Sequence, residues 1–134
     1  MEWSNYLVNM TIKTTAKGQA EGLLLNGRRI IVSNVTIEGS GDALQANGTV
    51  YIVKSSITGD GDNILGRGAV FFDNCEMISN GGPYMWIRNT SENHGNVFLH
   101  CSFRTTGGRE TVIARAPTNN GRNYPNSEAV LLNC

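Results

Sequence analysis

Short apolar runs, each interrupted by a polar residue and resumed in a two-step alternation, recur down the chain. They run from Tyr6 to Ile12, Ile31 to Ile37, Tyr51 to Ile57, Phe71 to Met77, Val97 to Phe103 and Val130 to Cys134. Alternation of this kind predicts half-buried β-strands. Superposing the runs puts Met10, Val35, Ser55, Cys75, Cys101 and Cys134 in one column, at successive offsets of 25, 20, 20, 26 and 33 residues. Ile12, Ile37, Ile57, Met77 and Phe103 form the column two places on, on the same face of the strand. Asn9, Asn34, Asn74 and Asn133 all directly precede the first column, as if one corner were repeated, and His100 takes that position in another run.

A unit of about 20 residues cannot bury its own apolar face, whereas stacked units can. The pattern predicts an all-β, right-handed parallel β-helix with coils about 4.8 Å apart. An antiparallel sandwich would also accommodate short strands and turns. The β-helix is preferred because the columns keep phase while the intervals vary; the extra residues of the longer intervals become loops that leave the stack, where solenoids often carry function.

Composition agrees. The 134 residues hold 16 Gly and 16 Asn, poor helix formers and good turn formers. Eleven basic residues balance eleven acidic ones, so the charge footprint of a nucleic-acid binder is missing. No apolar run is long enough for a membrane-spanning helix, and the opening Met1-Glu2-Trp3-Ser4-Asn5 has neither the basic nor the apolar region of a signal peptide. The three Cys form no CxxC pair; Cys75, Cys101 and Cys134 read as small hydrophobes in one interior column.

Candidate chemistry lies in two Gly-flanked acidic segments, Gly39-Ser40-Gly41-Asp42-Ala43-Leu44 and Gly59-Asp60-Gly61-Asp62-Asn63-Ile64-Leu65-Gly66. Asp42 and Asp62 are 20 residues apart, the same offset as Val35/Ser55 and Ile37/Ile57. Stacked coils would set the two carboxylates one above the other, about 5 Å apart at the backbone. Carboxylates that close cannot both ionise freely, which separates an acid from a nucleophile. Turn residues on a solvated edge would leave the same letters.

With Asn9-Met10-Thr11-Ile12, Lys17-Gly18-Gln19-Ala20 and Ile113-Ala114-Arg115-Ala116-Pro117, these segments resemble, in order and spacing, the blocks of the pectin methylesterases (pectinesterases, carbohydrate esterase family 8). Those blocks read roughly N-L-T-I…G-Q-A, G-x-Q-D-T-L, x-D-F-I-F-G and L-G-R-P-W. The resemblance implies the β-helical fold, a pectin-like polyuronate as polysaccharide partner, no metal or other cofactor, and a secreted or periplasmic setting. It implies Asp62 as nucleophile on the methyl-ester carbonyl and Asp42 as the acid that protonates departing methanol and then accepts a proton from water. Arg115 would hold Asp62 ionised and oriented, and Gln19 would donate to the tetrahedral oxyanion. Three departures stand out: Gly41 replaces the Gln before the first aspartate, Asn63 replaces the aromatic after the second, and Arg115-Ala116-Pro117-Thr118 lacks the aromatic of the last block.

Trp86 or Tyr84 would stack on a sugar ring or pack in the core, and Arg88 would meet a uronate carboxylate or serve as a surface anchor. Members of this family are longer, so residues 1–134 are expected to be one β-helical domain, the central catalytic coils of a longer domain truncated at both ends. Its open end coils are then expected to self-associate. A non-catalytic polysaccharide-binding β-helix and a polysaccharide lyase are the alternatives from other classes.

Overall fold

The computed structural model describes residues 5–134, so the reading of residues 1–4 lies outside the described residues. The chain forms β1 (Asn5–Lys13), β2 (Leu23–Glu38), β3 (Leu44–Val53), β4 (Ser56–Gly59), β5 (Ile64–Gly66), β6 (Ala69–Asp73) and β7 (Glu76–Ser79). It continues with β8 (Met85–Ile87), β9 (Gly95–Leu99), β10 (Ser102–Thr105), β11 (Thr118–Asn119), β12 (Arg122–Asn123) and β13 (Glu128–Leu132). Apart from the short antiparallel pair β11–β12, every ladder is parallel. Parallel register rules out the antiparallel sandwich and gives the expected β-helix. No helix among the described residues is long and apolar enough to cross a membrane.

Three ladders make the walls. The first runs through β1, β2, β3, β6, β9 and β13. The second takes the later halves of β1 and β2, then β4, β7 and β10. In it Ile12, Ile37, Ile57, Met77 and Phe103 lie in the predicted column. The third ladder was not anticipated. It joins the opening residues of β2 and β3 to the three-residue strands β5 and β8, pairing Leu23, Leu44, Ile64 and Met85.

The corner between the first two ladders explains the repeated Asn. Asn9, Asn34, Lys54, Asn74, His100 and Asn133 all have φ between 49° and 56°. An L-residue enters this left-handed region at a cost, and Asn, whose side chain can bond locally, enters it more readily than most. Asn34 also donates through Nδ2 to Asn9 Oδ1 on the coil below, at 2.9 Å.

Inside, each wall contributes one stack: Val32, Ile52, Phe72 and Phe98 from the first, Ile37, Ile57 and Met77 from the second, Leu44, Ile64 and Met85 from the third, all fully buried. Burying such a side chain contributes roughly 1.5–3 kcal/mol. Phe72 and Phe98 stack with ring centres 4.5 Å apart. The cysteines are free. Cys75 and Cys101 are buried as expected, and burial pushes the Cys75 thiol up to about 12. Cys134 departs from the interior reading: it stands on the last coil and is exposed.

Candidate active site

The site grows from the turns that carry the chain from the second ladder to the third. Asp42 lies between the end of β2 and the start of β3, and Asp62 between β4 and β5. Because Leu44 pairs with Ile64, the two aspartates occupy the same place on adjacent coils. Their contact is direct but asymmetric: the Asp62 backbone N–H donates to Asp42 Oδ1 at 3.0 Å. Close coil approach makes this possible, since a Cβ on Gly61 would lie 2.8 Å from both Asp42 Oδ1 and the Gly41 carbonyl carbon.

Two of the longer intervals supply the remaining groups. Gln19, between β1 and β2, donates through Nε2 to Asp42 Oδ2 at 2.7 Å. Arg115, between β10 and β11, hangs on β8 through its backbone N–H to the Met85 carbonyl, at 3.0 Å. Its Nη1 reaches back to Asp62 Oδ2 at 3.0 Å. The four groups therefore form one chain of contacts, Gln19–Asp42–Asp62–Arg115, on the wall of an open cleft of about 700 Å³.

Asp62 is 8% exposed. Its Oδ1 is buried without a hydrogen-bond partner. Burial, the largest influence, raises its pKa above the ordinary aspartate value; the Arg115 charge pulls it down, the Asp42 charge pushes it up, and the Arg115 hydrogen bond and Arg88 charge pull it down again. Arg115 is half exposed, so solvent screens part of its pull.

Of the aromatic and basic candidates, Trp86 lines this cleft, but its ring is already occupied. The Arg88 and Arg115 guanidinium carbons lie 4.1 and 4.2 Å from the ring centre, and indole Nε1 donates to the Thr118 carbonyl at 3.2 Å. Trp86 thus serves as a shelf for the arginine that holds Asp62, a cation–π contact that its place in the sequence did not suggest. Arg88 is not among the cleft residues; it lies beside Trp86, near enough to Asp62 to act on its charge. Tyr84 is a correction. It is 4% exposed and packs edge-on against Phe103 in the core, ring centres 5.2 Å apart, which leaves no ring face for a sugar. Asn63, too, faces inward, fully buried, with Nδ2 donating to the Ile78 carbonyl at 2.7 Å.

Gly41, which replaces the Gln of the resembling blocks, has φ 85°, and its N–H is taken by Asp60 Oδ1. The role of Asp60 was not foreseen, although the Gly-Asp-Gly-Asp run carried the signal. Gln19 Nε2 bears two hydrogens, and its hydrogen bond to Asp42 uses one.

Comparison with known proteins agrees with the motif reading. No family profile matches the chain. In sequence it is 29% identical over 109 residues to proteins named probable pectinesterase A from Aspergillus flavus and Aspergillus oryzae, covering 78% of this chain and 34% of theirs. In structure it matches the pectin methylesterase of Aspergillus niger, in its deglycosylated and penultimately deglycosylated forms, at a TM-score of 0.72. That match has 20% identity and covers 92% of this chain and 42% of the other, and it bears on the fold. The chain spans about a third of the length of the curated relatives it matches.

Proposed function

We propose, taking the chain as a divergent relative of the pectinesterases, that it carries the catalytic coils of a carboxylic ester hydrolase. The substrate would be methylated polygalacturonate, and the route an aspartyl acyl-enzyme. The observation that carries this reading is the contact chain Gln19–Asp42–Asp62–Arg115, which joins groups 96 positions apart in sequence along one cleft wall.

Ionised Asp62 attacks the ester carbonyl carbon; a C–O bond forms and the carbonyl electrons move to oxygen. The second Nε2 hydrogen of Gln19 is the donor at hand for that oxyanion, and a preorganised donor there can be worth a few kcal/mol. Collapse breaks the bond to methoxide, which leaves as methanol with a proton from Asp42. The Asp42 carboxylate next takes a proton from water, whose oxygen attacks the acyl carbon. Asp62 is released as a carboxylate, and the product is a free uronate. Gln19 orients Asp42 through Oδ2, while Arg115 orients Asp62 and favours its charged form. Burial works against that charge, so the enzyme needs Arg115 to have an ionised nucleophile.

Methanol release from methylated polygalacturonate tests the reading: wild type turns over and Asp62→Asn does not. Equal rates would remove Asp62 from the mechanism. One observation favours a second reading, a non-catalytic polysaccharide binder: the Gly41 N–H, a substitute for the missing Gln, is already capped by Asp60. Binding without turnover, indifferent to Asp42→Ala, would select that alternative.

A further inference from the structure

Gly41 is the weak point of the cleft wall. It stands directly before Asp42 with φ 85° and no side chain to anchor it, and glycine keeps more backbone freedom than any other residue. Freedom there would let the Asp42 carboxylate drift from Asp62. A side chain does not fit easily either, since a Cβ at Gly41 would lie 3.1 Å from Gln19 Cγ.

The next coil holds Gly41 instead. Its N–H donates to Asp60 Oδ1, and its carbonyl accepts from the backbone N–H groups of Asp60 and Gly61 at 3.0 and 2.7 Å. Both polar groups of Gly41 are therefore taken by the turn that carries Asp62. One coil down, Ser40 ties the turn of Asp42 to that of Gln19. Its Oγ donates to the Gly18 carbonyl at 2.6 Å, and its N–H and carbonyl exchange bonds with Ala20 at 3.0 and 2.6 Å. Ser40 and Asp60 each stand two places before an aspartate, 20 residues apart. Asn80, next in that row, turns its Oδ1 the other way, to Thr106 Oγ1 at 2.9 Å. Side chains that reach down to the coil below are thus found at the two turns that carry Asp42 and Asp62. In the resembling blocks Ser40 falls at the free position of G-x-Q-D-T-L and Asp60 lies outside x-D-F-I-F-G, so the resemblance gives neither residue a role.

We propose that Asp60 is a positioning residue: by holding the Gly41 N–H it fixes Asp42 in register over Asp62 and offsets the freedom of the glycine at position 41. What that register serves rests on the esterase reading. A carboxylate acceptor makes a stronger hydrogen bond than a neutral one, which suits a contact at the surface, where Asp60 is exposed. Two residues beyond Asp60, the Asp62 N–H makes its bond to Asp42 Oδ1, so the contact between the aspartates is the next link after the one that Asp60 closes. Loss of an exposed side chain opens no hole in the core, and the effect of losing Asp60 falls on the geometry of the two carboxylates.

The test pairs amide hydrogen exchange, which reports local opening, with methanol release from methylated polygalacturonate. In the wild type the Gly41 N–H should exchange slowly although its acceptor is at the surface; fast exchange there overturns the proposal. Asp60→Ala should speed exchange at Gly41 and, one link on, at Asp62, while Leu44 and Ile64 in the third ladder stay protected. Its kcat should fall about tenfold or more with KM little changed, since misplacing a reacting group by about 1 Å can cost about 10²-fold. Asp60→Asn keeps an acceptor oxygen and should restore most of both readouts. Unchanged exchange at Asp62 in Asp60→Ala overturns the proposal. So does a rise in kcat, which would make Asp60 a cap on an oxyanion donor. If Asp60→Ala loses its fold by circular dichroism, exchange at Gly41 in the wild type decides alone. Failure of the esterase reading appears elsewhere, as wild-type methanol release by Asp62→Asn, and leaves the exchange result standing.

Discussion

Asp62 is in tension between folding and chemistry. Burial raises its pKa, so the folded state favours the proton. A carboxyl with a raised folded pKa stabilises the fold fully below its unfolded value, about 3.9 for aspartate, and that contribution is lost as pH rises through the folded value. Asp62→Asn removes the charge that burial penalises. Its melting temperature, followed by circular dichroism, should therefore gain on wild type as pH is raised from about 4 to 7; a gap independent of pH would contradict this. The proposed chemistry needs the opposite, an ionised Asp62, so methanol release should rise with pH along a limb set by that raised pKa. Arg115 is the counterweight. Arg115→Ala should move the limb to still higher pH and, with the nucleophile unheld, cut kcat by about 10²-fold. A pH–rate profile in which the limb stays in place would leave Arg115 no electrostatic role. Asp42, Asp62 and Arg115 were readable as a set because spacing and the resembling blocks marked them. What Trp86 and Tyr84 do was not, because two aromatics two residues apart at the edge of a three-residue strand carry no mark of which faces inward and which carries an arginine.

At the scale of the strands, the long ladders were legible and the short one was not. Columns two residues apart held through five coils because each strand ran for several alternations on either side of its corner. The third ladder narrows to three residues at β5 and β8, too few for a period to show, so its residues read as turns around the acidic segments. The hairpin β11–β12 was equally open to reading: Asn120-Gly121, with φ 50° and 77°, joins Asn119 to Arg122, the residue pair that a tight two-residue hairpin favours. The Asn corner makes a prediction here. Lys54 is the one member of the row with neither an amide nor an imidazole, yet it holds φ 49°. Lys54→Asn should stabilise the protein by up to about 1 kcal/mol, and Asn74→Ala should cost a similar amount. Urea denaturation midpoints compare the two; a Lys54→Asn protein no more stable than wild type would show that Asn recurs at this corner for another reason.

Over the whole molecule, a stack of coils resolves burial sideways but not at its ends. Among the described residues, β1 pairs only with β2, β10 only with β7, and β13 only with β9. The exposed large apolar side chains concentrate there: Tyr6, Val8 and Met10 on β1, and Val130, Leu131 and Leu132 on β13. Leu131 pairs with Phe98, which belongs to an interior column, so its side chain continues the core with no coil above it. Unpaired parallel edges over exposed core residues are templates for another chain. The 134-residue protein should therefore associate end to end, its light-scattering mass rising with concentration. Charge at an edge opposes such pairing, so Val8→Lys together with Leu131→Lys should shift the protein toward monomer without unfolding it. The contact chain from Gln19 to Arg115 spans the coils between these ends, and Arg115 depends on β8 through one backbone bond and the Trp86 ring. Association that orders the β13 end should then raise methanol release per chain, and the Lys variants should lose that gain. A monomer at every concentration, as active as any assembly, would show that the coils from Gln19 to Arg115 hold the site unaided.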